Sequence, residues 1–234
     1  VKACAELDVG TGGRMRWTAE PPVVLRRTGG SRIHLVQAAG GPLGGDRLEL
    51  RIRLAENAEL TVGSAGATVA QPGRPGSGPA FWTVTAELAP GARLTWTPEP
   101  TVVCDGAELH ARLRLELAES AGALVRERVL LGRHGQRGGR YRGELSVDVD
   151  GRALARHTTV LDGADPVLTG PGGTGGARAV STVLGAGTEP EPSGPRVGEH
   201  DGTRWARCAL AGPGWLWLAA GPDVVADAVP GLPG

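Results

Sequence analysis

The sequence predicts a mainly β protein: a layered, solenoid-like stack of antiparallel β-hairpins and sheets, with one or two short helices near the C-terminus. Two observations carry this. Apolar and polar residues alternate with period two through several segments, the mark of strands with one buried face. A short turn sequence also recurs between such segments, at separations of 34 and 29 residues, as in stacked repeat architectures.

Taken in order, "RLELRIRL" points Leu48, Leu50, Ile52 and Leu54 one way and Glu49, Arg51 and Arg53 the other. "ARLRLEL" sets Leu113, Leu115 and Leu117 against Arg112, Arg114 and Glu116, and "YRGELSVDVDG" repeats the pattern with Leu145, Val147 and Val149. The repeated turns are "LAENAEL" from Leu54, "LAPGARL" from Leu88 and "LAESAGAL" from Leu117. Each ends one strand, turns through a few small or polar residues and enters another, and so reads as a hairpin. "AQPGRPGSGPA" (70–80) reads as a loop, and "GAGTEPEPSGPRVGEHDG" (185–202) as a flexible Gly/Pro-rich loop. Short helices are expected within "GGARAVSTVLGAG" (175–187) and "GPDVVADAVPG" (221–231), the latter stopped by Pro230.

Composition narrows the function. Twenty-five basic and 25 acidic residues balance, which argues against a nucleic-acid footprint or a basic membrane patch. No apolar run approaches the ~18 residues of a membrane span. Cys4, Cys104 and Cys208 are too few and too widely spaced for a disulfide framework, so a reducing, cytoplasmic setting is expected. Lys2 is the only lysine. That removes Schiff-base and Ser-Lys chemistry. It also removes a P-loop, because Asp46 and Arg47 stand where Lys and Ser or Thr must follow the last glycine of "GGPLGGDRL". A dinucleotide fingerprint needs a helix after those glycines, and a strand pattern follows instead. The five histidines show no metal-ligand spacing, there is no C-x-x-C, and Ser64 lacks the first glycine of a nucleophile elbow. Carboxylates remain: Asp46, Glu99, Asp105, Glu127 and Glu144 lie near strand ends. Two of them on a β scaffold could hydrolyse a glycoside, so a carboxylate-dependent carbohydrate-active enzyme or sugar-binding β module is one reading. The other is that each carboxylate caps a turn or pairs with a nearby arginine.

Four segments taken together resemble the urease accessory protein UreD (UreH) family: "VLRRTGGSRIHLVQAAGGPLGGDRLEL" (24–50), "AELTVGSAGATVAQPG" (58–73), "LAPGARLTWTPEPTVVCDGAEL" (88–109) and "LVRERVLLGRHG" (124–135). The likeness is clearest over residues 6–165. It implies a single UreD-like domain over 1–234, β-rich and solenoid-like, that is not an enzyme. It implies a scaffold chaperone that works with UreF, and through UreF with the GTPase UreG, to insert nickel into apo-urease. No tightly bound cofactor is implied, only transient Ni²⁺ in a water-filled passage. By motif, the residues lining that passage carry over to Asp46 in "GGD", Thr68 in "GAT", Glu127 in "RERVLLG" and His157 in "ALARHTT". Two departures stand out: Val69, Ala70 and Gln71 follow "GAT" where basic and aromatic residues are common, and His157 replaces a frequent carboxylate. On this reading the glycines before Asp46 make a tight turn that brings its carboxylate to the passage.

Overall fold

The computed structural model describes residues 1–187 and 196–222. Strands dominate. In chain order they are β1 (Lys2–Val9), β2 (Met15–Ala19), β3 (Val23–Arg27), β4 (Arg32–Gln37), β5 (Arg47–Leu54), β6 (Glu59–Ser64), β7 (Thr68–Ala70), β8 (Ala80–Leu88) and β9 (Arg93–Trp96). They continue as β10 (Thr101–Val103), β11 (Glu108–Leu117), β12 (Gly122–Leu131), β13 (Arg140–Val149) and β14 (Arg152–Asp162). The short helix α1 (Pro166–Thr169) follows, then β15 (Ala179–Ala186), β16 (Arg196–His200), β17 (Thr203–Ala209) and β18 (Gly214–Gly221).

The strands form two sheets. The first has seven strands in the order β14-β13-β11-β8-β5-β1-β2. The second has eleven, with β16-β17-β18-β15-β12-β9-β6-β4-β3 as its main path and β10 and β7 branching from β12. Between β5 and β13 the chain crosses repeatedly from one sheet to the other, so β5, β8, β11 and β13 stack in the first sheet while β6, β9 and β12 stack in the second. This is the expected mainly β, solenoid-like architecture. The expected hairpins are corrected: within this stack the paired neighbours run parallel. Antiparallel pairing is confined to the flanks, such as β1–β2, β13–β14 and the β12–β15–β18–β17–β16 series.

The recurring turns explain the difference. Each is a four-residue Ala-x-x-Ala bend that closes on itself, with Ala58, Ala92 and Ala121 donating to Ala55, Ala89 and Ala118 at 3.0–3.1 Å. The third residue of each bend, Asn57, Gly91 or Ser120, takes positive φ. The closing alanine is buried in every copy. Hydrogen bonds run from bend to bend rather than back along a hairpin: Ala89 donates to Leu54, and Ala118 to Leu88, at 3.0 and 2.9 Å. Each bend is thus an arch that turns both apolar faces inward, towards each other. Alternation fixes which face of a strand is buried; it does not say whether the next strand lies beside it or opposite it.

The outward face of the first sheet is a lattice of ion pairs, among them Arg51 with Glu6 and Glu49, and Glu144 with Arg112 and Arg142. The inward faces build the core. One large apolar cluster includes Leu50, Ile52, Leu113, Val125 and Leu145; a second, smaller one includes Leu109, Val129, Leu131, Tyr141 and Leu161. A third, around Val183, Trp217 and Ala219, is packed by Trp205 and Trp215.

Two further expectations change. Residues 179–186, read as helical, form β15, nearly all of it buried. Inside the supposed loop at 185–202, β16 pairs with β17, and residues 188–195 lie outside the described residues. The expected helix at 221–231 also falls mostly outside them. The one described α-helix, α1, is capped by Asp165, whose carboxylate accepts from Val167 N at 2.8 Å. No described helix is long and apolar enough to cross a membrane.

Candidate functional site

The boundary between the two larger apolar clusters follows from the sequence of the inward-facing positions. On β12 the buried phase runs Val125, Glu127, Val129, Leu131; Val125 belongs to the first cluster and Val129 to the second, with Glu127 between them. On β13 it runs Tyr141, Gly143, Leu145, so a glycine occupies the gap. Thr159 of β14 is in register with Gly143, and Thr182 of β15 with Glu127. Small or polar side chains therefore replace Leu and Val at one level across both sheets. A polar seam results, and the free volume collects there.

The larger space in the seam is about 290 Å³. Thr68, Trp82, Trp96, Glu127 and Tyr141 line it, with Glu99 and Arg128. Trp96 Nε1 is a buried donor with no hydrogen-bond partner among the described residues, which suits a cavity roomy enough for several waters. Arg128 holds its place by donating to Pro98 O at 3.3 Å and approaching Glu99 Oε2 at 3.5 Å.

Glu127 dominates the electrostatics. It is half-buried in the wall of the larger space, and the loss of water around it pushes its carboxyl up from 4.5 to about 7. No hydrogen bond or ion pair with a described residue offsets that cost. Burial, and then the nearby Glu127 charge, hold the Tyr141 phenol well above its usual range. An uncompensated buried carboxylate is costly to a fold, and such groups concentrate at functional sites.

A second, much smaller space of about 10 Å³ continues the seam beyond Glu127 and Tyr141. Gly143, His157, Thr159 and Thr182 line it. The His157 ring lies 3.0 Å from Thr159 Oγ1, and burial lowers its pKa, which favours the neutral imidazole. The structure therefore strings Thr68, Glu127 and His157 along one seam, with Glu127 common to both spaces.

Asp46 lies elsewhere. It is buried, it lines neither space, and both its oxygens are engaged: Oδ1 accepts from Val1 N at 2.6 Å and Oδ2 from Leu43 N at 2.9 Å. Leu43 O accepts in return from Asp46 N at 2.9 Å. The glycines serve close approach: a Cβ on Gly44 would lie 2.7 Å from Gly73 N, and Gly45 has φ +87°. Gly44 and Gly45 pack their backbone on the 71–79 loop, donating to Gln71 O and Pro79 O at 3.2 Å.

The remaining carboxylates have local partners. Asp105 accepts from Gly138 N at 2.6 Å, and Glu144 accepts from Arg112 and Arg142, which lower its pKa. Among the described residues no group of three or more His, Cys, Asp or Glu is arranged to hold a metal. The sequence reading missed Trp82, Trp96, Tyr141, Thr159 and Thr182. One signal could have found most of the seam: Glu127 and Gly143 each interrupt the apolar phase of an otherwise regular strand.

Comparison with known proteins places these features in a family. The family model described as UreD urease accessory protein matches residues 13–224. A urease accessory protein UreD of Frankia alni is 38% identical, the match covering 88% of this chain and 81% of that protein. One from a Parafrankia strain is 39% identical over 96% of this chain and 84% of its own length. One from Streptomyces coelicolor is 38% identical over 88% and 82%. The match runs through both sheets and the whole seam, and the chain belongs to the UreD urease accessory protein family.

Proposed function

We propose that this chain is a scaffold for urease maturation rather than a catalyst, and that its polar seam carries Ni²⁺ towards apo-urease. Family membership supports the role in urease maturation. The reading extends to a cytoplasmic assembly with UreF, and through it the GTPase UreG, docked on apo-urease. Nickel is cargo here, held transiently.

The observation that carries the passage is Glu127, an uncompensated carboxylate facing two adjoining spaces between the sheets. A divalent cation beside it would favour the ionised form and offset the cost of burial. Isolated oxygen donors, with Thr68 in the larger space, suit transit, whereas a cage of His and Cys ligands would trap nickel. The carbohydrate-active alternative has less support, because Asp105 and Glu144 are committed to a turn and to two arginines.

The test is Glu127→Gln, which keeps the shape and removes the charge. Nickel per urease should fall about tenfold, the equivalent of one ~1.4 kcal/mol attraction, with the yield of assembled complex unchanged. Full nickel content in the variant would sink the proposal.

A further inference from the structure

We propose that the Tyr141 ring, seated against Gly143, is the constriction that limits the rate at which hydrated cations cross the seam. The inference rests on the passage reading above. Tyr141 and Glu127 are the two side chains shared by both spaces, so the junction lies between them. Across that junction the free volume drops from about 290 to about 10 Å³, room for about one water and not for an ion with its hydration shell. A hydrated ion can therefore reach His157 only if a side chain at the junction moves.

Of the two, Tyr141 has the built seat. Tyr141 and Gly143 are two apart on β13 and so face the same way. A Cβ on residue 143 would lie 2.6 Å from the Tyr141 hydroxyl and 2.7–2.9 Å from Cε1 and Cζ of its ring. Gly143 has ordinary backbone torsions, so the glycine serves the ring and not a turn. The ring lies along its own strand, over the one position without a side chain. Its root packs in the second apolar cluster, and its tip reaches the polar gap. With its root packed and its tip at the junction, this ring is the side chain whose displacement would open the path.

The experiment measures the initial rate of Ni²⁺ delivery to apo-urease by the assembled complex, at matched complex concentration. Tyr141→Leu keeps an apolar root in the cluster and withdraws the tip; the rate should rise severalfold. Gly143→Ala pushes the ring off its seat into the passage and should slow delivery, and Tyr141→Leu added to it should restore the rate. Tyr141→Phe keeps the ring and shortens the obstruction by one oxygen, so it assembles even if the leucine variant does not, and it should give a smaller rise. An unchanged or lower rate in the Tyr141 variants that assemble overturns the constriction. Run beside them, Glu127→Gln separates the two ideas. Loss of delivery in that variant with no response at Tyr141 removes only the constriction, whereas no response at either position removes the passage as well.

Discussion

Asp46 and Glu127 are both carboxylates set among apolar neighbours, and they differ in what meets the charge. Asp46 sits at the end of a glycine-rich turn with both oxygens bonded to nitrogen donors. Glu127 sits in mid-strand, facing open space, with burial raising its pKa and nothing described to lower it. The first arrangement supports a fold, because the carboxylate accepts from the Leu43 backbone N–H and so closes its own turn. The second weakens a fold, and natural cores keep such groups where they serve another purpose. The two residues match the same family pattern, and their surroundings differ.

The largest expected effect tests the cost of Glu127. Its folded-state pKa lies above the ordinary value, so its contribution to stability is complete below about pH 4.5 and is lost as pH rises through about 7. At about pH 8 the ionised group should cost up to about 3 kcal/mol. Glu127→Gln should therefore be more stable than the parent chain at pH 8, with the gap closing as pH falls to about 4.5. Denaturant unfolding at the two pH values measures it. A variant that is less stable at pH 8 would show that Glu127 is compensated after all, and the contrast with Asp46 would collapse.

Asp46→Ala should do the opposite. It strands the Leu43 N–H and loosens the turn, at a cost of about 1–3 kcal/mol, while nickel delivered per assembled complex stays at the parental level. Reduced delivery from a fully assembled complex would return Asp46 to the passage.

The sequence revealed these regions unequally, for physical reasons. Alternation marked β5, β11 and β13 correctly because each has one face on the core and the other on the charged outer lattice. It failed for β15, where Val183 packs in the third cluster and Leu184 in the first, so both faces are covered and the period disappears. The arches look like hairpins in the sequence because pairing partners are not encoded in a two-residue period. At the site, the motif pointed to Thr68, Glu127 and His157, and the structure gathers them on one seam. It also pointed to Asp46, whose carboxylate closes a turn onto Leu43, a contact that no spacing rule describes. Tyr141 was invisible because a buried tyrosine in an alternating strand looks like core until the missing side chain at Gly143 is considered beside it.

His157 gives a smaller effect of opposite sign to Glu127. Burial lowers its pKa, so its contribution to stability is present above its ordinary value near 6.5 and is lost as pH falls through the depressed folded-state pKa. His157→Gln should flatten the acid limb of the stability profile and leave the alkaline side, set by Glu127, as it was. A profile that changes only above neutral pH would contradict this assignment.

The smallest effect concerns Glu144, the third kind of carboxylate in the molecule. It accepts from Arg112 Nη2 at 2.8 Å and Arg142 Nε at 2.8 Å on the outward face of the first sheet, and these bonds lower its pKa. Its contribution to stability is therefore present above the ordinary carboxylate range and is lost as pH falls through the depressed value. Arg112 is 60% exposed at its side chain, so water and salt screen the pair, and a double-mutant cycle with Arg112→Ala and Glu144→Ala should return less than about 1 kcal/mol of coupling. Moderate salt should shrink that coupling further. Neither substitution should alter nickel delivery, because both side chains point away from the seam. A lattice residue that changed delivery without changing stability would mean that the charged outer face takes part in transfer, and the line drawn here between satisfied and unsatisfied carboxylates would no longer separate structure from function.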